Sequence, residues 1–233
     1  CRSCEARHKG ICGVLSPDQL IRLSKQTSKH NLEAGQEVLK GSEPNERYAN
    51  ILKGVVKLTK LTSDGRQQIV GLQFAPDFLG RPFGRQTDVS VEASTDVKVC
   101  SFPRRALEAM MLEAPELEHK LHEQALRELD DARDWMLALG RKNAPERVAT
   151  FFCFLAEHAD PELHGGATKS VAFEIPLKRT EIADFLGLTI ETVSRQISKL
   201  RQQGVIILHD NRQVEVPDLR KLRELVEQNN VGL

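Results

Sequence analysis

Between His30 and Phe102 the apolar positions fall in short alternating runs separated by turn residues. Val38-Leu39, Tyr48 to Leu52, Val55 to Leu61, Ile69 to Phe74 and Val97 to Phe102 read as strands. Asn45, Gly54, Ser63-Asp64-Gly65 and Pro76-Asp77 supply the turns, and Ser63-Asp64-Gly65 marks a hairpin. Short strands at this spacing predict a small antiparallel barrel or jelly roll. Ahead of it, Ser16-Pro17-Asp18 opens a helix carrying Leu20, Ile21 and Leu23.

Past Pro103 the period becomes helical. Pro115 begins a helix that nothing interrupts until about Gly140, roughly 37 Å at 1.5 Å per residue. His122, Ala125, Leu129, Ala132, Met136 and Leu139 recur along it at spacings of three and four, a heptad-like seam. Packing on its own barrel would occupy a shorter helix; the length and the regular seam predict pairing with a second copy. Asn143-Ala144-Pro145-Glu146 restarts a helix that runs to about His158. A Gly165-Gly166 loop and a strand from Val171 to Ile175 follow.

The pattern then predicts a helix over Thr180 to Leu186, a turn at Gly187-Leu188-Thr189 and a second helix over Ile190 to Gln203. Gly187 suits a turn that needs positive φ, and Thr189 or Thr192 can cap the second helix. Ile182, Ala183 and Leu186 face Val193, Ile197 and Leu200 in a shared core. The opposite face presents Glu191, Thr192, Ser194, Arg195, Ser198, Lys199 and Arg201. Arg195 suits a bidentate contact to guanine or a phosphate clamp, Glu191 a cytosine amine, and Ser194 either base or phosphate. An ordinary helical hairpin with a solvated charged face would show much the same pattern. Val205 to Leu208 and Gln213 to Val216 flank Asp210-Asn211 as a β hairpin, however, and such a wing adds phosphate contacts beside a reading helix. DNA binding is the stronger reading.

Composition changes this picture only locally. The 233 residues are 40% hydrophobic, and 33 basic residues balance 33 acidic ones. A DNA binder of zero net charge must gather its positive charge on one face. Residues 168 to 204 do so modestly: Lys169, Lys178, Arg179, Arg195, Lys199 and Arg201 outnumber Glu174, Glu181, Asp184 and Glu191. No run of eighteen apolar residues predicts a membrane span. No charged-then-apolar leader supports secretion, so a cytoplasmic protein is expected. The start at Cys1 rather than Met suggests an upstream segment. No His/Asp/Glu constellation with catalytic spacing and no Gly-rich phosphate loop points to an enzyme.

The five cysteines are Cys1, Cys4, Cys12, Cys100 and Cys153. An odd count argues against a disulfide framework. Cys1, Cys4 and Cys12 lie on a short basic loop, and Cys100 can be a fourth ligand across space. Four thiolates suit tetrahedral zinc or an iron–sulfur cluster, and spacing alone does not separate these from free thiols. His8 reads as a solvated loop histidine. Cys153, within Phe151-Phe152-Cys153-Phe154-Leu155, reads as an inert core residue.

Glu191-Thr192-Val193-Ser194-Arg195, inside Leu186-Gly187-Leu188-Thr189-Ile190, resembles the recognition helix of the Crp/Fnr family of transcription regulators, Fnr branch. The similarity extends over the barrel, the long helix, the Lys142 to Arg147 hinge region and the winged domain. It implies an α+β chain with a loop at 1–15, a cyclic-nucleotide-binding-like β-barrel at 16–114, a dimerisation helix at 115–140 and a winged helix-turn-helix at 141–233. It implies that Glu191, Ser194 and Arg195, with Thr192 and Lys199 beside them, read a TTGAT half-site, and that a homodimer binds the palindrome with its reading helices about 34 Å apart. RNA polymerase is the implied partner, through surfaces including the loop from Pro76 to Asp88.

For the cysteines, the branch pattern implies a 4Fe-4S cluster on Cys1, Cys4, Cys12 and Cys100, the last within Val99-Cys100-Ser101-Phe102-Pro103. Family barrels that bind cyclic AMP carry a Gly-Glu and an Arg-Ser/Thr pair. Here the run is Phe78-Leu79-Gly80-Arg81-Pro82-Phe83-Gly84-Arg85, so no cyclic nucleotide is expected. Oxygen-labile members place an aspartate in the dimer seam where this chain has Ala132, with Asp130, Asp131 and Asp134 flanking it. Alanine removes a desolvated like-charge pair, so loss of the cluster is expected to alter the orientation of the seam helix. The remaining alternative is a family member without cofactor, controlled by abundance or thiol oxidation.

Overall fold

The computed structural model describes residues 4, 9–40, 46–81, 87–160 and 170–227. Cys1, His8, Asn45 and the Gly165-Gly166 loop lie outside them. The chain divides into two compact units, Cys1–Ala132 and Arg133–Leu233.

In the first unit the described strands are β1 (Ser28–Leu32), β2 (Glu37–Leu39), β3 (Arg47–Lys53), β4 (Val55–Leu61), β5 (Gln67–Phe74), β6 (Phe78–Leu79), β7 (Ser90–Ala93) and β8 (Val97–Pro103). They form two four-stranded sheets, ordered β1-β8-β3-β6 and β2-β7-β4-β5. Every pairing is antiparallel, as a jelly roll requires. The predicted hairpin joins β4 to β5, closed by Thr62 N–H on the Arg66 carbonyl at 2.8 Å. β1, β6 and β7 lie outside the predicted strands. β1 is exposed over most of its length and β6 has two residues, so neither presents an alternation to read.

Alternation along β3 and β8 divides the apolar residues between two cores. Ala49, Ile51, Val97 and Val99 pack with Val56, Leu79, Val91 and Ala93 between the sheets. Tyr48 and Phe102 point the other way, into a second core with α1 (Pro17–Ser24), α2 (Arg104–Glu113), the start of α3 (Pro115–Arg141) and a 3-10 turn at Ile11–Val14. Ser16 caps α1 in a capping box with Gln19. Buried apolar area, at roughly 25 cal/mol per Å², is what holds these helices over the sheet. Gly80 sits at the joint with φ 138°, where a Cβ would stand 2.3 Å from the Tyr48 ring.

A polar network ties α3 to the sheet. Gln124 accepts from Phe78 N–H at 2.9 Å and donates to the Phe78 carbonyl at 3.0 Å and to Glu128 Oε1 at 2.6 Å. Gln73 donates to the same Glu128 oxygen at 2.7 Å. Glu128 is exposed by surface area, but protein atoms crowd its carboxyl group on the sheet side. That crowding raises its pKa above the ordinary glutamate value; the charges of Asp77 and Asp131 add to the rise, and the Gln124 and Gln73 amides oppose it. A group with a raised folded pKa contributes stability below its unfolded pKa and loses it as pH rises through the folded value. Glu128→Gln keeps an acceptor oxygen and removes the charge. It should stabilise the unit at pH 7.5 by under about 1 kcal/mol after solvent screening, with no gain at pH 4. Thermal melts at both pH values test this, and an equal gain at both would show that charge is not the cause.

In the second unit, α4 (Ala144–Ala159) starts at an Asn143–Glu146 capping box with Pro145 beside it, as read from the sequence. β9 (Val171–Glu174), α5 (Arg179–Leu186), α6 (Ile190–Gln202), β10 (Ile207–Leu208), β11 (Gln213–Val216) and α7 (Leu219–Glu227) follow. Trp135, from the last turns of α3, packs on Phe185 at 4.5 Å and on Phe154 at 5.5 Å between ring centroids. Arg147 donates to the carbonyls of Leu139 (2.7 Å), Lys142 (2.9 Å) and Leu186 (3.0 Å), which fall at the ends of α3 and α5. Among the described residues no helix is long and apolar enough to cross a membrane.

Candidate nucleic-acid interface and thiol site

The helix-turn-helix is built by local signals. Gly187 ends α5 at φ 60°, in the left-handed region where a Cβ is penalised. Thr189 caps α6, accepting from Thr192 N–H at 3.2 Å. Ile182, Ala183, Leu186, Val193, Ile197 and Leu200 are all buried, so α5 and α6 share the expected core.

That core fixes which face of α6 is free. Glu191, Ser194, Arg195, Ser198, Lys199 and Arg201 are exposed, and Thr192 is half-buried. Arg195 Nη2 lies 3.5 Å from Thr192 Oγ1. The Glu191 carboxyl is held below the usual range by its own backbone N–H and the Thr189 hydroxyl, so it is an ionised acceptor at neutral pH.

Beside α6, β10 and β11 form the predicted wing, with Ile207 opposite Glu215 and Leu208 opposite Val214. Asp210 tightens its tip by accepting from the N–H groups of Arg212 and Gln213, each at 2.6 Å. β11 also pairs with β9, which anchors the wing in a three-stranded sheet.

Arg179 was not singled out by the sequence as a contact. It opens α5, and burial lowers its pKa. Its Nη1 is buried without a hydrogen-bond partner among the described residues. Its neighbour in sequence, Lys178, is exposed.

Cys12 and Cys100 lie on the helix-covered face of the β1-β8-β3-β6 sheet. Cys12 lies in the 3-10 turn and packs against the second core, and Cys100 is buried in β8. Asn50 Nδ2 donates to Cys12 Sγ at 3.4 Å. Burial pushes the Cys12 thiol up to about 11, with further contributions from Cys100 and Cys4 and an opposing one from the Asn50 amide. Burial raises Cys100 as well, against a hydrogen bond with the Thr27 side chain. Cys4 is half-buried; Cys1 lies outside the described residues. Among the described residues, no three His, Cys, Asp or Glu side chains stand close enough to hold a metal ion. Cys153 is buried in α4 beside Phe152.

On α3, the first unit exposes His122, Ala125, Leu129 and Ala132. Leu126, absent from the seam read in sequence, is also 61% exposed. In the second unit Met136 and Leu137 are exposed, while Leu139 is half-buried near Gly187. Gly80 and Arg81 border a cavity of about 360 Å³ that Glu118, His122 and Glu128 also line.

Comparison with known proteins adds the following. The Crp-like helix-turn-helix domain model matches residues 146–225, and the cyclic nucleotide-binding domain model matches residues 29–114. A "probable transcriptional activator" of Rhizobium leguminosarum bv. viciae is 51% identical, over 97% of this chain and 92% of its own length. The transcriptional activator protein FnrL of Cereibacter sphaeroides is 40% identical, over 96% of this chain and 90% of its own. The structure of FixK2 from Bradyrhizobium japonicum superposes with a TM-score of 0.75 at 33% identity, covering 85% of this chain and 96% of that one.

Proposed function

This chain belongs to the Crp/Fnr family of transcription regulators, and on that premise we propose an oxygen-responsive homodimer that reads a palindromic TTGAT-type site. The observation that carries the DNA reading is the exposed face of α6. Glu191, Ser194 and Arg195 stand free near an N-capped helix start, with the wing alongside. Thr192 orients Arg195, and Lys199 meets backbone phosphate. The paired copy comes through α3, whose exposed Leu126, Leu129, Met136 and Leu137 are apolar surface that a partner helix would cover. RNA polymerase is the proposed partner of bound protein, through surfaces including the loop from Pro76 to Asp88; residues 82–86 of it lie outside the described part.

For sensing, the thiolates of Cys1, Cys4, Cys12 and Cys100 would hold a 4Fe-4S cluster. When bound, it supplies oxygen-labile redox chemistry. Asn50 is paired in register with Cys100 and hydrogen-bonded to Cys12, so these two cysteines lie on one face of the sheet, which supports this donor set. The alternative is a family member without cofactor, controlled by abundance or thiol oxidation, and metal analysis separates the two. A cyclic nucleotide is disfavoured because the run from Phe78 to Arg85 lacks the Gly-Glu and Arg-Ser/Thr pairs of cyclic-AMP-binding barrels.

Anaerobic iron and sulfide analysis beside a sizing experiment tests the sensing reading. About four iron atoms and four sulfides per chain are expected. A colourless sample with stoichiometric zinc would sink the cluster. After air exposure the dimer should persist while DNA affinity falls, because Ala132 puts no like charge in the seam. Dissociation to monomers would refute that route.

A further inference from the structure

Pairing of β3 with β8 places Asn50 opposite Cys100. The alternation that sends Ala49 and Ile51 into the inner core sends Asn50 to the helix-covered face, toward Cys12. Asn50 is only 5% exposed. Its Nδ2 donates to Cys12 Sγ, and its Oδ1 is buried with no partner among the described residues. A buried amide with an unsatisfied oxygen costs stability that an apolar side chain of similar size would not. A side chain kept at such a cost, with its N–H on a candidate ligand sulfur, is unusual for a packing residue.

We propose that Asn50 is a positioning residue for the group bound by the cysteines, and that its N–H holds the Cys12 sulfur and tunes the oxygen lifetime of the cluster. The proposal rests on the cluster reading above. A hydrogen bond to a ligand sulfur draws electron density from it and favours the reduced cluster, so it raises the reduction potential. It also fixes the direction of Cys12, which comes from a short turn rather than a strand. The carboxamide suits both forms of that cysteine: its N–H serves a thiolate and its oxygen can accept from a thiol.

The test uses the full chain, loaded anaerobically with ferrous iron and sulfide, as wild type, Asn50→Leu, Asn50→Asp and Asn50→Ser. Leu keeps the bulk without the donor, Asp puts a repelling oxygen against the sulfur, and Ser retains a donor. Readouts are iron and sulfide per chain, the cluster's reduction potential, its Fe–S stretching frequencies and its half-life in air. Asn50→Leu should shorten the half-life roughly tenfold, lower the potential and shift the frequencies. Asn50→Asp should do more, and Asn50→Ser should recover part of the loss. A wild type without iron and sulfide defeats the cluster reading itself. A loaded wild type whose Leu and Asp variants match it in potential, frequencies and half-life overturns the role of Asn50 alone. Unfolding of both variants in iron-free form, seen by thermal melting, would make Asn50 a structural contact and overturn the proposal equally.

Discussion

Arg195→Ala should weaken binding to a TTGAT palindrome by about 2–6 kcal/mol, roughly 30-fold to 25,000-fold. The estimate takes about 1–3 kcal/mol for each lost base contact and two half-sites per dimer. Arg195 is free to make that contact because α6 buries its other face, Val193, Ile197 and Leu200, against α5. Its guanidinium lies near the Thr192 hydroxyl, so part of its side-chain ordering precedes binding. Lys199→Ala supplies the contrast. A lost phosphate contact should weaken all sequences alike and reduce the salt slope by about one per half-site. Shift assays on the palindrome and on a scrambled duplex separate the two. If Arg195→Ala kept full sequence preference, Arg195 would not be a reading residue.

Arg147→Ala should destabilise the second unit by about 3 kcal/mol and lower its melting temperature by roughly 10–20 °C. One guanidinium satisfies three carbonyls, those of Leu139, Lys142 and Leu186. Carbonyls in a helix's last turn have no intrahelical partner, and a cation there meets the negative end of the dipole. Removing the side chain leaves three acceptors to find water around a half-buried site. Arg147→Lys should recover only a minor share, because an ammonium lacks the planar fork that reaches three separate oxygens. Trp135, the single tryptophan, packs on Phe154 and Phe185 and therefore reports this unit by fluorescence. A loss below about 1 kcal/mol, or full rescue by lysine, would show that the three bonds are not what holds these helix ends.

Features that were legible in the sequence are those encoded within a few neighbouring residues. Gly187 and Thr189 mark the turn and the cap by their own backbone preferences, so the helix-turn-helix was readable to within a residue or two. Ser16 and Asn143 announce their helices in the same way. β6 was not legible, because two residues hold no period and their partner, β3, lies well upstream in the chain. The surroundings of the thiols were hidden for a related reason. Cys12 and Cys100 can be picked out by type, but Asn50 gains meaning only from the register that sets it opposite Cys100. The helix start at Asn143-Ala144-Pro145-Glu146 was visible as a pattern, while the three carbonyls that Arg147 binds come from residues 5 to 39 positions away. Leu126 in the first unit and Leu137 in the second are exposed outside the strict heptad, since exposure is set by what each unit leaves uncovered.

Gln124 has a consequence for how strain travels in the first unit. β6 ends its sheet, so the outward N–H and carbonyl of Phe78 belong to an open edge, and Gln124 closes that edge as a neighbouring strand would. Both bonds depend on one carboxamide at one height on α3. An axial slip of a single residue, 1.5 Å, would break both at once and strand two buried groups. The helix is therefore latched to the sheet rather than free to creep along it. A push along the axis of α3 must break both bonds together before the helix can slide.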